Sequence, residues 1–189
     1  MRIGIDTFGC DHRKSGAGSY LFSLIKSLPE TENDSIELFG VETDRFRYDF
    51  EKRSFSFVAI NMPDSTFFVR LWHTCFLKYF IKKQKYDAVL YPASLQVLPL
   101  SFSKPAVLVI NELLSEYLKK NRNYFSKLRL KKVLRCSAKI IVSSQFVKKE
   151  LVSFGVQPEK IEIIHNGVDH SLFYPHFNAA KDGEAVLIQ

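Results

Sequence analysis

No hydrophobic run in this chain is long enough to cross a bilayer. The most apolar stretch, residues 67–81, is broken by Arg70, His73 and Lys78 and falls short of the ~20 apolar residues a spanning helix needs. The opening residues, Met1-Arg2-Ile3-Gly4-Ile5-Asp6, read as a short strand and lack the charged stretch and long apolar segment of a signal peptide. Cysteine is scarce. Cys10, Cys75 and Cys136 form neither a disulfide framework nor a zinc pattern, which points to a reduced, cytoplasmic protein. Cys10 lies near His12, and His73 near Cys75, but neither pair has a second pair of ligands beside it, so no metal is expected. There is no Gly-x-Ser-x-Gly elbow for serine-nucleophile chemistry, no internal repeat and no low-complexity segment.

What is present is an ordinary globular composition: 46% hydrophobic and 25% charged residues in a chain of 189, enough for one domain with a sizeable core. Phenylalanine is frequent, at 17 residues, so there are many rings to bury or to offer to an apolar partner. The net charge of +7 attracts polyanions of any kind: nucleic acid, anionic lipid or phosphorylated small molecules.

Short apolar runs alternate with amphipathic ones. Residues 2–6, 36–41, 55–60, 88–91, 106–110, 139–142 and 161–164 read as strands. Helices are expected over 16–28, 64–83, 124–136 and 145–153, with Asp64 or Ser65 and then Ser144 as N-caps. Strands alternating with helices at this spacing form parallel βαβ units in a Rossmann-like, doubly wound α/β sheet. Ser15-Gly16-Ala17-Gly18 falls between the first strand and the first helix. A helix N-terminus there offers free N–H groups and a positive dipole end to a phosphate. Taken alone, the same glycines serve equally well for chain reversal.

Residues 136–175 form an ordered, gap-free pattern: Ala138, Val142-Ser143, Gly155-Val156, Lys160-Ile161, Asn166-Gly167-Val168-Asp169, Phe173 and Pro175. This block resembles the end of the N-terminal domain in family-four, GT-B-fold retaining glycosyltransferases. Upstream, Tyr86-Asp87-Ala88-Val89 with Tyr91-Pro92, and Ser15-Gly16-Ala17-Gly18-Ser19-Tyr20, are similar to that family's strand before the acceptor-side loop and to its glycine loop. The resemblance covers about residues 1–175, with none of it over 42–70. It implies a nucleotide-diphosphate sugar as donor substrate, no cofactor, and a glycan or lipid-linked acceptor. Gly16, Ala17 and Gly18 would then touch the donor phosphate. Tyr91, Pro92 and Ser94 would line the acceptor cleft, and Ser143, Asn166, Gly167 and Asp169 would form the cleft wall and hinge.

One position departs from the family. Where it usually places His-Asp after the fifth strand, this chain has Asn111-Glu112. Asn donates and accepts hydrogen bonds but does not shuttle a proton. In the family mechanism the leaving phosphate can take the acceptor proton, so Asn111 is left to orient a sugar hydroxyl. The same substitution is the best support for a different class, a non-catalytic Rossmann-like module that binds a partner or a membrane. A nucleotide-sugar epimerase of the same GT-B shape is a third reading.

From Lys119 to Arg135 there are eight Lys or Arg and no Asp or Glu. Lys127, Arg129, Lys131, Lys132 and Arg135 alternate with Leu128, Leu130, Val133 and Leu134. Basic charge beside apolar surface suits a peripheral helix on the anionic inner face of a membrane, and a solvated helix face explains it equally. No nucleic-acid-binding module is recognisable. Past Pro175 the chain turns polar and then enters a fresh apolar run, 185–188. Residues 1–175 are therefore expected to be one domain, and 176–189 a linker and the first strand of a second, donor-binding domain.

Overall fold

The computed structural model describes residues 1–29, 33–48, 55–63, 65–97, 99, 101–120 and 123–167. Among the described residues seven strands lie in one sheet: β1 Arg2–Asp6, β2 Ser35–Gly40, β3 Phe55–Ala59, β4 Ala88–Tyr91, β5 Ala106–Ile110, β6 Lys139–Val142 and β7 Ile161–Ile163. Their order is β3-β2-β1-β4-β5-β6-β7 and every pairing is parallel. The sheet is thus the Rossmann-like α/β sheet expected from the spacing. The direction in which successive strands are added reverses between β1 and β4, because β2 and β3 are laid down to one side of β1 and β4–β7 to the other.

Helices cover both faces. Helix α1, Gly16–Ser27, buries Leu21 and Ile25 against Ile5, Ile36 and Leu38. On the opposite face α4 (Leu77–Gln84), α6 (Tyr124–Cys136) and α7 (Gln145–Ser153) bring Leu77, Ile81, Leu130, Leu134 and Leu151 onto Phe39, Val89, Leu108 and Ile140. Ser144 caps α7 by accepting the Val147 N–H, as its place in the sequence predicts. Two short helices escape a reading by periodicity: α2, Glu42–Arg45, and α5, Leu114–Lys120. The latter is capped from a distance, since the Glu150 carboxylate accepts the Leu114 N–H at 2.9 Å.

The single aromatic helix expected over 64–83 is two: α3, Thr66–Cys75, and α4, with the bend at Phe76. No proline or glycine lies at the bend. Instead His73 Nδ1 donates to the Val69 carbonyl at 2.7 Å and Thr74 Oγ1 to the Arg70 carbonyl at 2.8 Å. Side chains that bond back to carbonyls four residues earlier bend the helix they sit in. Ser65 occupies the α3 N-cap position without a side-chain cap bond; Asp64 lies outside the described residues.

The core holds several groups that cannot ionise cheaply. Burial pushes the Cys10 thiol far above its ordinary 9.0, with Asp6 and Asp44 adding to the effect. Burial raises Tyr86 well above 10.0, helped by the hydrogen bond it donates to Glu37, and raises Tyr91 in the same direction. Such groups keep their proton when folded and lose it near the ordinary value when unfolded. Their stabilisation is complete below the unfolded pKa and is lost as pH rises above it. The melting temperature should therefore be level up to about pH 9 and fall steeply beyond about pH 10. A Tm unchanged between about pH 8 and pH 11 contradicts this.

Candidate functional site

Because all strands are parallel, their C-terminal ends share one edge, and ligands bind such sheets at that edge where the strand order reverses. Here the reversal lies between β1 and β4. A cavity of about 260 Å³ opens there, with Ser15, Gly16 and Ala17 on one side, Pro92, Ser94 and Gln96 on the other, and Asn111, Glu112 and Asn166 at the end. A second cavity of about 460 Å³ adjoins it and shares Ser15 and Gln96.

The first turn of α1 decides what the cavity offers. Ser15 Oγ donates to the Cys10 carbonyl at 3.0 Å and accepts the Gly18 N–H at 3.2 Å. The first intrahelical bond runs from Ser19 N to Ser15 O. Gly16 and Ala17 are thus left with N–H groups that have no helical partner, at the positive end of a 12-residue helix. Gly16 has open space where a Cβ would stand. Gly18 differs from the expectation: it is buried and does not line the cavity. A Cβ there would press into the Cys10 carbonyl oxygen and lie 2.6 Å from Arg13 Cα. Gly18 lets the incoming loop pack on the helix, and Gly16 and Ala17 line the cavity.

The other expected residues divide in the same way. Pro92 and Ser94 line the cavity. Ser94 is itself buried and donates to the Val109 carbonyl at 2.6 Å, which ties the β4 loop to β5. Tyr91 is not in the wall. Its ring is buried beside Phe102, 5.5 Å between centroids, because in β4 it shares the core-facing side with Val89. Asn111 and Glu112 follow β5 directly, and Glu112 Oε1 accepts from Gln96 Nε2 at 3.3 Å. Ser143 acts through its backbone: its carbonyl accepts from His165 Nδ1 at 2.9 Å, which fixes the turn that carries Asn166 and Gly167. Asp169 and the linker 176–189 lie outside the described residues.

Two acid–histidine networks beneath the edge were not foreseen. Asp6, at the end of β1, accepts the Phe8 N–H at 2.9 Å and lies 2.8 Å from His73 Nε2, with both side chains buried. Buried Asp44 accepts from Thr7 Oγ1 at 2.6 Å and pairs with His12 Nδ1 at 2.7 Å. Asp11, His12 and Arg13 all have left-handed φ values, 49°, 49° and 71°, a conformation L-residues hold only when their surroundings enforce it. The rigid loop sets the entry of α1 and the wall of the second cavity.

On the basic helix, Lys127, Lys131, Lys132 and Arg135 are exposed and Arg129 is half-buried. Leu130, Val133 and Leu134 belong to the core, so Leu128 with Tyr124 and Phe125 supplies that helix's exposed apolar surface.

The family model described as Glycosyltransferase Family 4 matches residues 14–172. The chain belongs to Glycosyltransferase Family 4. No curated protein matches it by sequence. Among solved structures it is similar to HepE of Anabaena in complex with UDP and glucose, at 16% identity and a TM-score of 0.56, over 91% of this chain and 46% of that one. It is also similar to the UDP-GlcNAc 2-epimerase of Neisseria meningitidis bound to UDP-GlcNAc, at 13% identity and 0.54, over 86% of this chain and 45% of that one. The lipopolysaccharide outer core galactosyltransferase WaaB, apo form, aligns at 14% identity and 0.52, over 89% and 46%. At these identities the likeness is one of fold. The Family 4 chain described here spans about half the length of these proteins.

Proposed function

We propose that this chain is the acceptor-side half of an enzyme that moves a hexosyl group from a nucleotide-diphosphate sugar to a glycan or lipid-linked acceptor, with retention of anomeric configuration. The observation that carries the reading is the cavity at the strand-order reversal, where the Gly16 and Ala17 N–H groups open the N-terminus of α1 within a Family 4 chain. Amide donors at a helix N-terminus suit a diphosphate, and they stabilise the charge that builds on it as the glycosidic bond breaks. Asn111 contacts the donor sugar and orients a hydroxyl. The leaving phosphate takes the acceptor proton, so no protein base is required. Most donor contacts belong to a second domain reached through the Asn166-Gly167 turn, and closure of the two domains excludes water. The enzyme works in the cytoplasm, at the inner face of the membrane, without a cofactor.

An epimerase of the same fold is the competing activity. The family match favours transfer, since the likeness to epimerases rests on fold alone.

The division of labour is open to direct measurement. Amide NMR of this chain titrated with UDP- and GDP-sugars should show feeble, millimolar binding, because a half-open cleft leaves phosphate charge in water, where a contact pair is worth only ~1 kcal/mol. The shifts should centre on Gly16 and Ala17. Micromolar affinity for the chain alone would place the donor site in this half and overturn the assignment.

A further inference from the structure

The larger cavity at the edge, about 460 Å³, falls within the ~300–1,000 Å³ of pockets that take a whole small molecule. It shares Ser15 and Gln96 with the cavity of the Gly16 and Ala17 amides, so a molecule in it lies next to whatever those amides hold.

Its lining divides by chemistry. Phe8, Val69 and Val97 give an apolar wall, while Asp11, Thr66 and Gln96 bring polar groups from exposed positions. A sugar has the matching parts: C–H faces for the wall, and hydroxyls that both donate and accept hydrogen bonds.

Charge narrows the class. His12 and Asp44 also line the cavity, and among the described residues no Lys or Arg does. Two carboxylates therefore stand there against at most one positive charge, that of His12. The net charge of the wall is negative in either state of the imidazole. Both Asp44 oxygens are engaged, one by Thr7 Oγ1 at 2.6 Å and the other by His12 Nδ1 at 2.7 Å. Asp11 is thus the carboxylate that a ligand meets. Its place is fixed by the left-handed run at residues 11–13. Two backbone bonds close that turn, Arg13 N to Cys10 O at 3.1 Å and Lys14 N to Asp11 O at 2.8 Å. A carboxylate accepts hydrogen bonds from sugar hydroxyls and repels a phosphate or carboxylate on a ligand in the same space.

We propose that this second cavity seats the reacting sugar of the acceptor, that this sugar is uncharged, and that Asp11 is the residue that excludes phosphorylated and acidic sugars. That the sugar is the acceptor rests on the transferase reading; the cavity's choice of uncharged over anionic sugars does not.

The test is amide NMR of this chain titrated with the methyl glycosides of glucose, galactose, mannose and N-acetylglucosamine, and with the 6-phosphates of the same glycosides. An uncharged member of the panel should shift the amides of Phe8, Asp11 and Gln96, and its 6-phosphate, read at the same amides, should bind about tenfold more weakly. Asp11→Asn removes the charge, keeps the shape and tolerates the left-handed backbone. It should leave Tm unchanged and cut that gap to about threefold or less. Thr66→Lys, at an exposed position, should bring a cation to the cavity and reverse the preference. A 6-phosphate that binds the native chain as tightly as its parent sugar overturns the proposal. So does a gap that neither variant moves, and so does a panel that leaves those amides unshifted. With the full-length enzyme, transfer to a phosphorylated sugar in preference to its uncharged parent would overturn the proposal and leave the transferase reading standing. Uncharged sugars that bind in this cavity and never receive a hexosyl group would count against the transferase reading and leave the charge selection standing.

Discussion

Gly18→Ala should lower the stability of this domain by about 3 kcal/mol, a fall in Tm of roughly 10 °C, whereas Gly16→Ala should leave it level or slightly raised. The two glycines lie two residues apart in the same helical turn. Their surroundings differ in what a methyl group would meet. At Gly18 it meets backbone, the Cys10 carbonyl oxygen and Arg13 Cα at 2.6 Å. That backbone has little freedom to retreat. Residues 11–13 are already held in left-handed conformations, and His12 is fixed to buried Asp44. At Gly16 nothing lies within 4 Å, and alanine is favoured over glycine in a helix by up to about 1 kcal/mol. Function should divide the other way. Gly16→Val should keep the fold and weaken nucleotide-sugar binding in the full-length enzyme, because its branched side chain fills space beside the Gly16 and Ala17 amides. Thermal denaturation with donor titration separates the two effects. Equal stability losses at both positions would mean that the loop serves only to pack α1.

The Gly18 result bears on how much of the site the sequence carries. The helix buries Gly18, Leu21 and Ile25, a spacing of three and four residues that puts all three on one stripe. That stripe was visible in the sequence and marked Gly18 as a core position. The grouping of glycines in the motif drew it to the phosphate instead. Tyr91 is a similar case. It alternates with Ala88 and Leu90 and shares the inward face with Val89, so period two already pointed its ring away from the cleft.

Other features had no local signal. The Asp6–His73 pair joins residues 67 apart in the chain and exists only because α3 crosses under the end of β1. Asp44 lies in the stretch 42–70 where no family motif was read from the sequence, yet its carboxylate anchors Thr7 and His12. Helix α5 depends on Glu150 from α7 for its first N–H. Strands, by contrast, were legible almost residue by residue, because a parallel sheet covered on both faces requires continuous apolar runs, and Ala106–Ile110 and residues 140–142 supply them. The position of the cleft followed from topology. Loops after β1, β4, β5 and β7 meet at one edge because every strand runs the same way.

Acceptor-dependent sugar transfer is the second large effect expected, and it is all-or-none. The full-length enzyme, given a panel of nucleotide-diphosphate sugars and a membrane extract as acceptor source, should release nucleoside diphosphate with one donor only when acceptor is present. NMR of the product should show the anomeric configuration of the donor kept. In the proposed cleft, amides at Gly16 and Ala17 would stabilise the departing diphosphate, while Asn111 would hold the sugar and supply no base to activate water in the acceptor's place. Asn111→Ala should lower kcat by about tenfold to a hundredfold, since a hydrogen bond to a reacting sugar is worth about 1–3 kcal/mol. Transfer that requires acceptor and retains configuration is the result this account predicts. Conversion of the donor to its epimer without any acceptor, or turnover by no donor at all, would contradict it.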